Sequence, residues 1–206
     1  MRFSLAAGLG IALGFMSGCM SPNVVVDRIG KTQVFAMIDS STPTDGVLMN
    51  VMELTDAIII SDGVGGHLDG MLAVLKYLDH HPQKTIIIDG ACASACTLLL
   101  SRPANVVFTE NAVFRFHSAS IREEVNGKFR YFMSAPGNEK MLAVMPERLK
   151  DWIKETDAFG SRELTDMDST TARQLFPKMF VETSDIPLLE FGSNITISGE
   201  IVGSIL

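Results

Sequence analysis

Apolar and polar positions along the chain change their period several times, and each change marks an element. Gln33 to Ile38 (QVFAMI) reads as a strand, and the turn-forming cluster Ser40 to Asp45 (SSTPTD) follows it. Between Gly46 and Leu54 the apolar residues Val47, Leu48, Val51 and Met52 share one helical face. Ala57 to Ser61 (AIIIS) is wholly apolar and β-branched, as suits a strand buried on both faces. The glycine-rich turn Asp62-Gly63-Val64-Gly65-Gly66 comes next. Leu68, Met71, Leu72, Leu75 and Leu78 then recur at helical spacing until Asp79-His80-His81-Pro82. Thr85 to Asp89 (TIIID) reads as a second buried strand broken by Gly90, and Ala91 to Leu100 (ACASACTLLL) as the start of a buried helix. Asn105 to Thr109 and Ala112 to Phe116 are two short strands around a turn at Glu110-Asn111.

The second half is less regular. Ser120 to Gly137 is polar and contains glycine, which predicts a loop or a hairpin. Asn138 to Asp157 is helical in pattern with a kink or a start at Pro146, and Leu149, Trp152 and Ile153 share its apolar face. Ser169 to Phe176 reads as a short helix capped by Ser169 or Asp168. The weak alternation Ile195 to Val202 (ITISGEIV) suits an edge strand. Strands alternating with helices predict an α/β domain with a mainly parallel sheet.

Of the 206 residues, 47% are hydrophobic and 20% charged, which suits one compact domain and excludes a disordered chain. The formal net charge is -7 and no Lys/Arg cluster is present, which argues against a nucleic-acid partner. The N-terminus stands apart. Arg2 precedes an apolar run, Leu5 to Phe15, that is too short to span a bilayer, and Met16-Ser17-Gly18-Cys19 follows. This arrangement resembles a bacterial lipobox. The resemblance implies a lipoprotein signal peptide over residues 1–18, a lipidated Cys19, a tether over 19–31 and a domain over 32–206. An ordinary secretory signal and a buried N-terminal helix are the other readings of the same residues. Met20 stands where an Asp would mark inner-membrane retention, so the implied location is the periplasmic face of the outer membrane. The membrane contact would be made by several acyl chains, since one alone binds only marginally.

Three segments carry candidate chemistry. Ala-Cys-Ala-Ser-Ala-Cys between a strand and a helix puts Ser94 at a helix N-terminus, where free N–H groups favour a developing negative charge. A helix-capping Ser in a tight core fits the segment equally well. Gly65-Gly66 follows the preceding buried strand, so it shares with Ser94 the strand-end edge where ligands bind in parallel sheets. Paired glycines there let backbone N–H groups approach an oxyanion closely, although a plain turn needs no more. His117 ends the strand Ala112 to Phe116, while His67, right after the glycines, is a second candidate base. Cys92 and Cys96 flank Ser94, either as a disulfide in an oxidising compartment or as two small buried thiols. Three residues separate them, so they are not the redox CxxC pattern, and no third and fourth ligand suggests a metal.

The order strand, Gly-Gly, helix, strand, small-x-Ser-small, helix, strand-His resembles the Clp-type serine peptidase family of the ClpP/crotonase superfamily. CASAC followed by FRFHSAS is especially similar to its exported bacterial members. The likeness is good over Gln33 to Ser120 and loose elsewhere. It implies a fold of repeated β-β-α units with a mainly parallel sheet. Ser94 would be the nucleophile and His117 the general base, with 117 - 94 = 23 residues between them, close to the family's spacing. Ala95 and either Gly65 or Gly66 would supply the oxyanion-hole N–H groups. The implied acid is Asp166, 166 - 117 = 49 residues beyond the His, with Asp168 and Asp157 as alternatives. The family's usual Ser-Pro-Gly-Gly is replaced here by Asp62-Gly63-Val64 before the glycines, which leaves the donor open.

The implied protein is a membrane-anchored periplasmic serine hydrolase, a peptidase, acting through an acyl-enzyme on a peptide or protein substrate without cofactor or metal. Superfamily members assemble into trimers, hexamers or rings, so a homo-oligomer is implied too. A non-catalytic binding or assembly lipoprotein with an incomplete triad is the alternative. Acyl-CoA chemistry of the crotonase type is a third reading, opposed by the exported location and the Ser/His pair. An α/β-hydrolase is excluded by chain order. No His lies beyond His117, and the acid between Ser94 and His117 is Glu110 alone.

Overall fold

The structure is a computed structural model that describes residues 23–29, 33–40 and 43–186. Its centre is one seven-stranded sheet, mainly parallel, in a mixed α/β arrangement. Strand β1 (Asn23–Ile29) runs antiparallel to β2 (Gln33–Ser40), and β2 lies parallel to β3 (Ala57–Gly63). The segment expected to be a tether is therefore largely a strand. Its Val-Val-Val run is a strong strand former, and the strand pairs with Gln33 to Asp39 of β2. Helix α1 (Thr44–Val51) connects β2 to β3, and α2 (Leu68–His80) connects β3 to β4 (Thr85–Ala93).

Strand β4 does not stop at Gly90. Ile88 pairs with Ile60, but Ala91 pairs with Asp62, so β4 carries one extra residue at Asp89-Gly90 opposite Ser61. This is a bulge, and glycine is required because a Cβ there would overlap the Ser61 carbonyl. The bulge divides the strand into two halves with different partners. Ile86 to Ile88 pair with β5 (Val106–Phe108), and Ala91 to Ala93 pair with β6 (Val113–Phe116), both in parallel.

A 3₁₀ helix, Ser94–Ser101, leaves the end of β4. After β6 come a separate hairpin of β7 (Ser120–Val125) and β8 (Lys128–Met133), then α3 (Ala135–Val144) and α4 (Glu147–Glu155). Pro146 divides the expected long helix in two, as an interior proline must. Strand β9 (Thr165–Asp168) pairs antiparallel with β6 and leads into α5 (Ser169–Leu175), which Asp168 caps. The expected strand Ile195 to Val202 lies outside the described residues, as does Cys19.

The helices cover one face of the sheet. Ile58, Ile60, Ile86, Ile88, Phe114 and Phe116 point into that layer, with Leu75 and Leu78 of α2 and Leu98 to Leu100 of the 3₁₀ helix. Ile59 and Ile87 point the other way and pack on Ile186. Burial on both faces is why the strands read as unbroken apolar runs. Among the described residues no helix is long and apolar enough to cross a membrane.

Candidate functional site

The site forms where β3, β4 and β6 end together. Ala93 pairs with Arg115, so Ser94 follows one position past the register and His117 two past it. Strand spacing of about 4.8 Å and a rise of about 3.3 Å per residue put the two positions on the order of 6 Å apart. Both side chains are part-exposed. Among the described residues, Ser94 Oγ and His117 are not hydrogen-bonded to one another.

Ser94 sits at φ 55°, one of the few non-glycine residues with a left-handed backbone. That region is uncommon for a residue with a side chain and costs roughly 1–3 kcal/mol. Three contacts hold it. Cys92 and Cys96, both fully buried, are joined in a disulfide that spans the residue. Thr97 Oγ1 donates to the Ser94 carbonyl at 2.7 Å. Gly65, at φ 88°, lies directly against it, where an added Cβ would be 2.6 Å from Ser94 Cβ and 3.0 Å from Ala95 N. A strand that turns sharply into a helix at a strained Ser is the geometry that exposes a nucleophilic hydroxyl.

The backbone donors follow from the same contacts. The Gly65 N–H is not free for an oxyanion in this structure, since it donates to Thr44 Oγ1 at 3.0 Å. Gly66 N–H makes no hydrogen bond among the described residues. Ala95 N–H lies in the first turn of the 3₁₀ helix, where N–H groups have no acceptor within the helix. Neither N–H has an acceptor among the described residues.

His117 Nδ1 lies 2.7 Å from the Ser118 carbonyl oxygen. A carbonyl can only accept, so Nδ1 carries a proton, and in the neutral ring this leaves the lone pair on Nε2. Ser118 is itself fixed, since it is fully buried and its N–H donates to the Ser161 carbonyl at 2.9 Å. Asn138 completes the support. Its Nδ2 donates to Ser118 Oγ at 3.0 Å, and its Oδ1 accepts from Ala119 N at 2.7 Å. Ser118 and Asn138 carry no sequence signal of this role, because a backbone carbonyl and a distant amide leave no motif.

None of the three candidate acids reaches the imidazole. Asp166 stands opposite Arg115 in the β6–β9 ladder and faces it at 3.6 Å. Asp168 accepts from Thr171 N at 2.7 Å, and that backbone N–H holds its carboxyl below the usual carboxylate range. Asp157 folds its carboxylate over Gly160. The family resemblance implies Asp166 as the acid, but antiparallel pairing sets it opposite Arg115, two residues before His117. His67, the second candidate base, is 86% exposed at the N-cap of α2, with Nδ1 3.8 Å from Asp45 Oδ2. His80 and His81 turn their Nδ1 atoms to the carbonyls of Lys76 and Tyr77 at the end of α2.

No family model and no curated protein matches the chain. Among solved structures it is similar to an enoyl-CoA hydratase from Shewanella pealeana, at 14% identity over 83% of this chain and 71% of that one, with a TM-score of 0.49. It is also similar to a monofunctional enoyl CoA isomerase from M. smegmatis, at 17% identity over 89% and 90% of the two chains, with a TM-score of 0.44. Likeness at this level carries no residue roles to this chain.

Proposed function

We propose that this chain is an exported serine hydrolase of the ClpP/crotonase superfamily, held to the membrane through a lipidated Cys19 and acting on peptide or protein substrates. The observation that carries the reading is Ser94, set at φ 55° on the strand-to-helix turn with Gly65 packed against it. In the reaction Ser94 Oγ attacks the substrate carbonyl carbon while His117 Nε2 takes the hydroxyl proton. The carbonyl oxygen becomes an oxyanion between the N–H groups of Gly66 and Ala95. Collapse of the intermediate breaks the acyl–nitrogen bond, and the leaving amine takes the proton from His117. Water then enters, gives a proton to the same imidazole and attacks the acyl carbon; the acid leaves and Ser94 recovers its proton.

The Ser118 carbonyl orients His117 in place of an acid, but as a neutral group it stabilises the imidazolium less than a carboxylate would. That observation favours a second reading, a binding lipoprotein that keeps the turn and does not turn over substrate. Labelling of the full-length protein, extracted in detergent, with a fluorophosphonate probe separates the two. The hydrolase reading expects labelling that disappears in Ser94→Ala and falls in His117→Ala. Folded wild-type protein that takes no label would leave the binding reading. The mass of the extracted protein checks the anchor, since an unmodified Cys19 would remove it.

A further inference from the structure

We propose that Thr44 and Asp45, at the N-terminus of α1, are positioning residues that hold the Gly65-Gly66 turn against Ser94, so that the Gly66 N–H can meet the oxyanion. The inference deepens the hydrolase reading and rests on it. Thr44 is fully buried and Asp45 is 6% exposed, so both are polar groups that must find partners inside the protein. Both find them on the glycine turn. Thr44 N–H donates to the Gly65 carbonyl, and the Gly65 N–H donates back to Thr44 Oγ1 at 3.0 Å. Asp45 Oδ1 accepts from His67 N at 3.1 Å, one residue past the turn.

The clamp therefore grips the turn on both sides of Gly66 and leaves the Gly66 N–H unused. The glycines fit the carboxylate as a lock. An added Cβ at Gly66 would overlap Asp45 Oδ1, and one at Gly70 would overlap Oδ2. Gly66 and Gly70 are thus glycine partly because Asp45 occupies the space a side chain would take. On its far side the turn meets Ser94 Cβ and Ala95 N. The turn is held between α1 and the 3₁₀ helix, and its position relative to the hydroxyl is set by both. Neither end of this arrangement is visible along the chain, since 65 - 44 = 21 residues separate the bonded pair.

The test is made on full-length protein with Thr44→Val, Thr44→Ser, Asp45→Ala and Asp45→Asn. Val matches the shape of Thr and removes the acceptor; Ser keeps the acceptor; Asn keeps an oxygen for His67 N while losing the charge. Three readouts are taken: the fluorophosphonate labelling rate, the thermal midpoint, and hydrogen exchange of the Gly65 amide by NMR. Thr44→Val is expected to stay folded, to expose the Gly65 amide to exchange, and to slow labelling about tenfold to a hundredfold, the scale of a misplaced oxyanion donor. Thr44→Ser should restore both the protection and the rate, a rescue that a merely structural loss would not give. Asp45→Ala, which removes the acceptor of His67 N, should slow labelling as Thr44→Val does, and Asp45→Asn, which keeps an oxygen there, should restore it; folded Asp45→Ala that labels within twofold of wild type takes Asp45 out of the clamp. Folded Thr44→Val that labels within twofold of wild type overturns the clamp. So does a Gly65 amide as protected as before. A wild-type protein that does not label overturns the hydrolase reading instead, and the exchange experiment still decides whether Thr44 holds the turn.

Discussion

Replacing Ser94 with Gly should make the protein more stable and, on the proposed hydrolase reading, abolish fluorophosphonate labelling. The magnitude follows from the backbone. A residue with a Cβ in the left-handed region costs about 1–2 kcal/mol, and glycine does not bear that cost. Against this, glycine loses more freedom on folding, by roughly 0.5–1 kcal/mol. Here that opposing term is reduced, because the disulfide between Cys92 and Cys96 already restrains residue 94 in the unfolded chain. Among the described residues Ser94 Oγ makes no hydrogen bond, so little is lost with it. The net expectation is a gain of about 0.5–1 kcal/mol, or a rise in Tm of about 1–4 °C for a domain of this size. Ser94→Ala is the control: it removes the same hydroxyl but keeps the strain, and should melt close to wild type. Calorimetry on oxidised protein at one pH gives both values. If Ser94→Gly melts below Ser94→Ala, the strain at Ser94 is not what the geometry requires, and the argument for a strained nucleophile turn falls with it.

Three further outcomes follow from particular contacts. Asp166→Asn should leave fluorophosphonate labelling within about twofold of wild type, because its carboxylate faces Arg115 and not His117; a loss of a hundredfold or more, as removal of a triad member can give, would restore Asp166 to the triad. Gly90→Ala should cost about 3 kcal/mol by denaturant unfolding, since the new Cβ meets the rigid Ser61 backbone at the bulge; a change under about 0.5 kcal/mol would refute the close approach. Asp168 is held below its ordinary value by the Thr171 N–H, so its contribution to α5 is present above the unfolded carboxyl pKa and is lost as pH falls through the lower folded value. Asp168→Ala should therefore lower Tm at neutral pH and cease to matter at strongly acid pH; an equal deficit at both would sink the capping argument.

Much of the fold was legible because single-segment physics wrote it. Three isoleucines in β3 and three in β4 read as strands buried on both faces, and they are. The α2 face of Met71, Leu75 and Leu78 was set by helical spacing and packs as expected. The order glycine turn, Ser and His at successive strand ends needed only a parallel sheet to bring the three to one edge. Gly90 reads as a strand end in the sequence because a glycine that ends a strand and a glycine that lets a bulge pass a neighbouring carbonyl look alike there. β9 went unseen, since four residues with two carboxylates acquire strand character only from pairing with β6.

By itself, then, the chain determined its buried central strands, its main helix and the strand ends that carry Ser94 and His117, because burial pattern and local backbone preference are properties of neighbouring residues. Tertiary structure alone decided the finer contacts: which glycine N–H stays free, that a carbonyl and not Asp166 meets the His117 ring, and that Thr44 and Asp45 bond the residues on either side of Gly66. Those choices depend on register and on hydrogen bonds between residues far apart in the chain. Such bonds form only after hydrophobic burial has brought the elements together, so no period or spacing along the sequence records them.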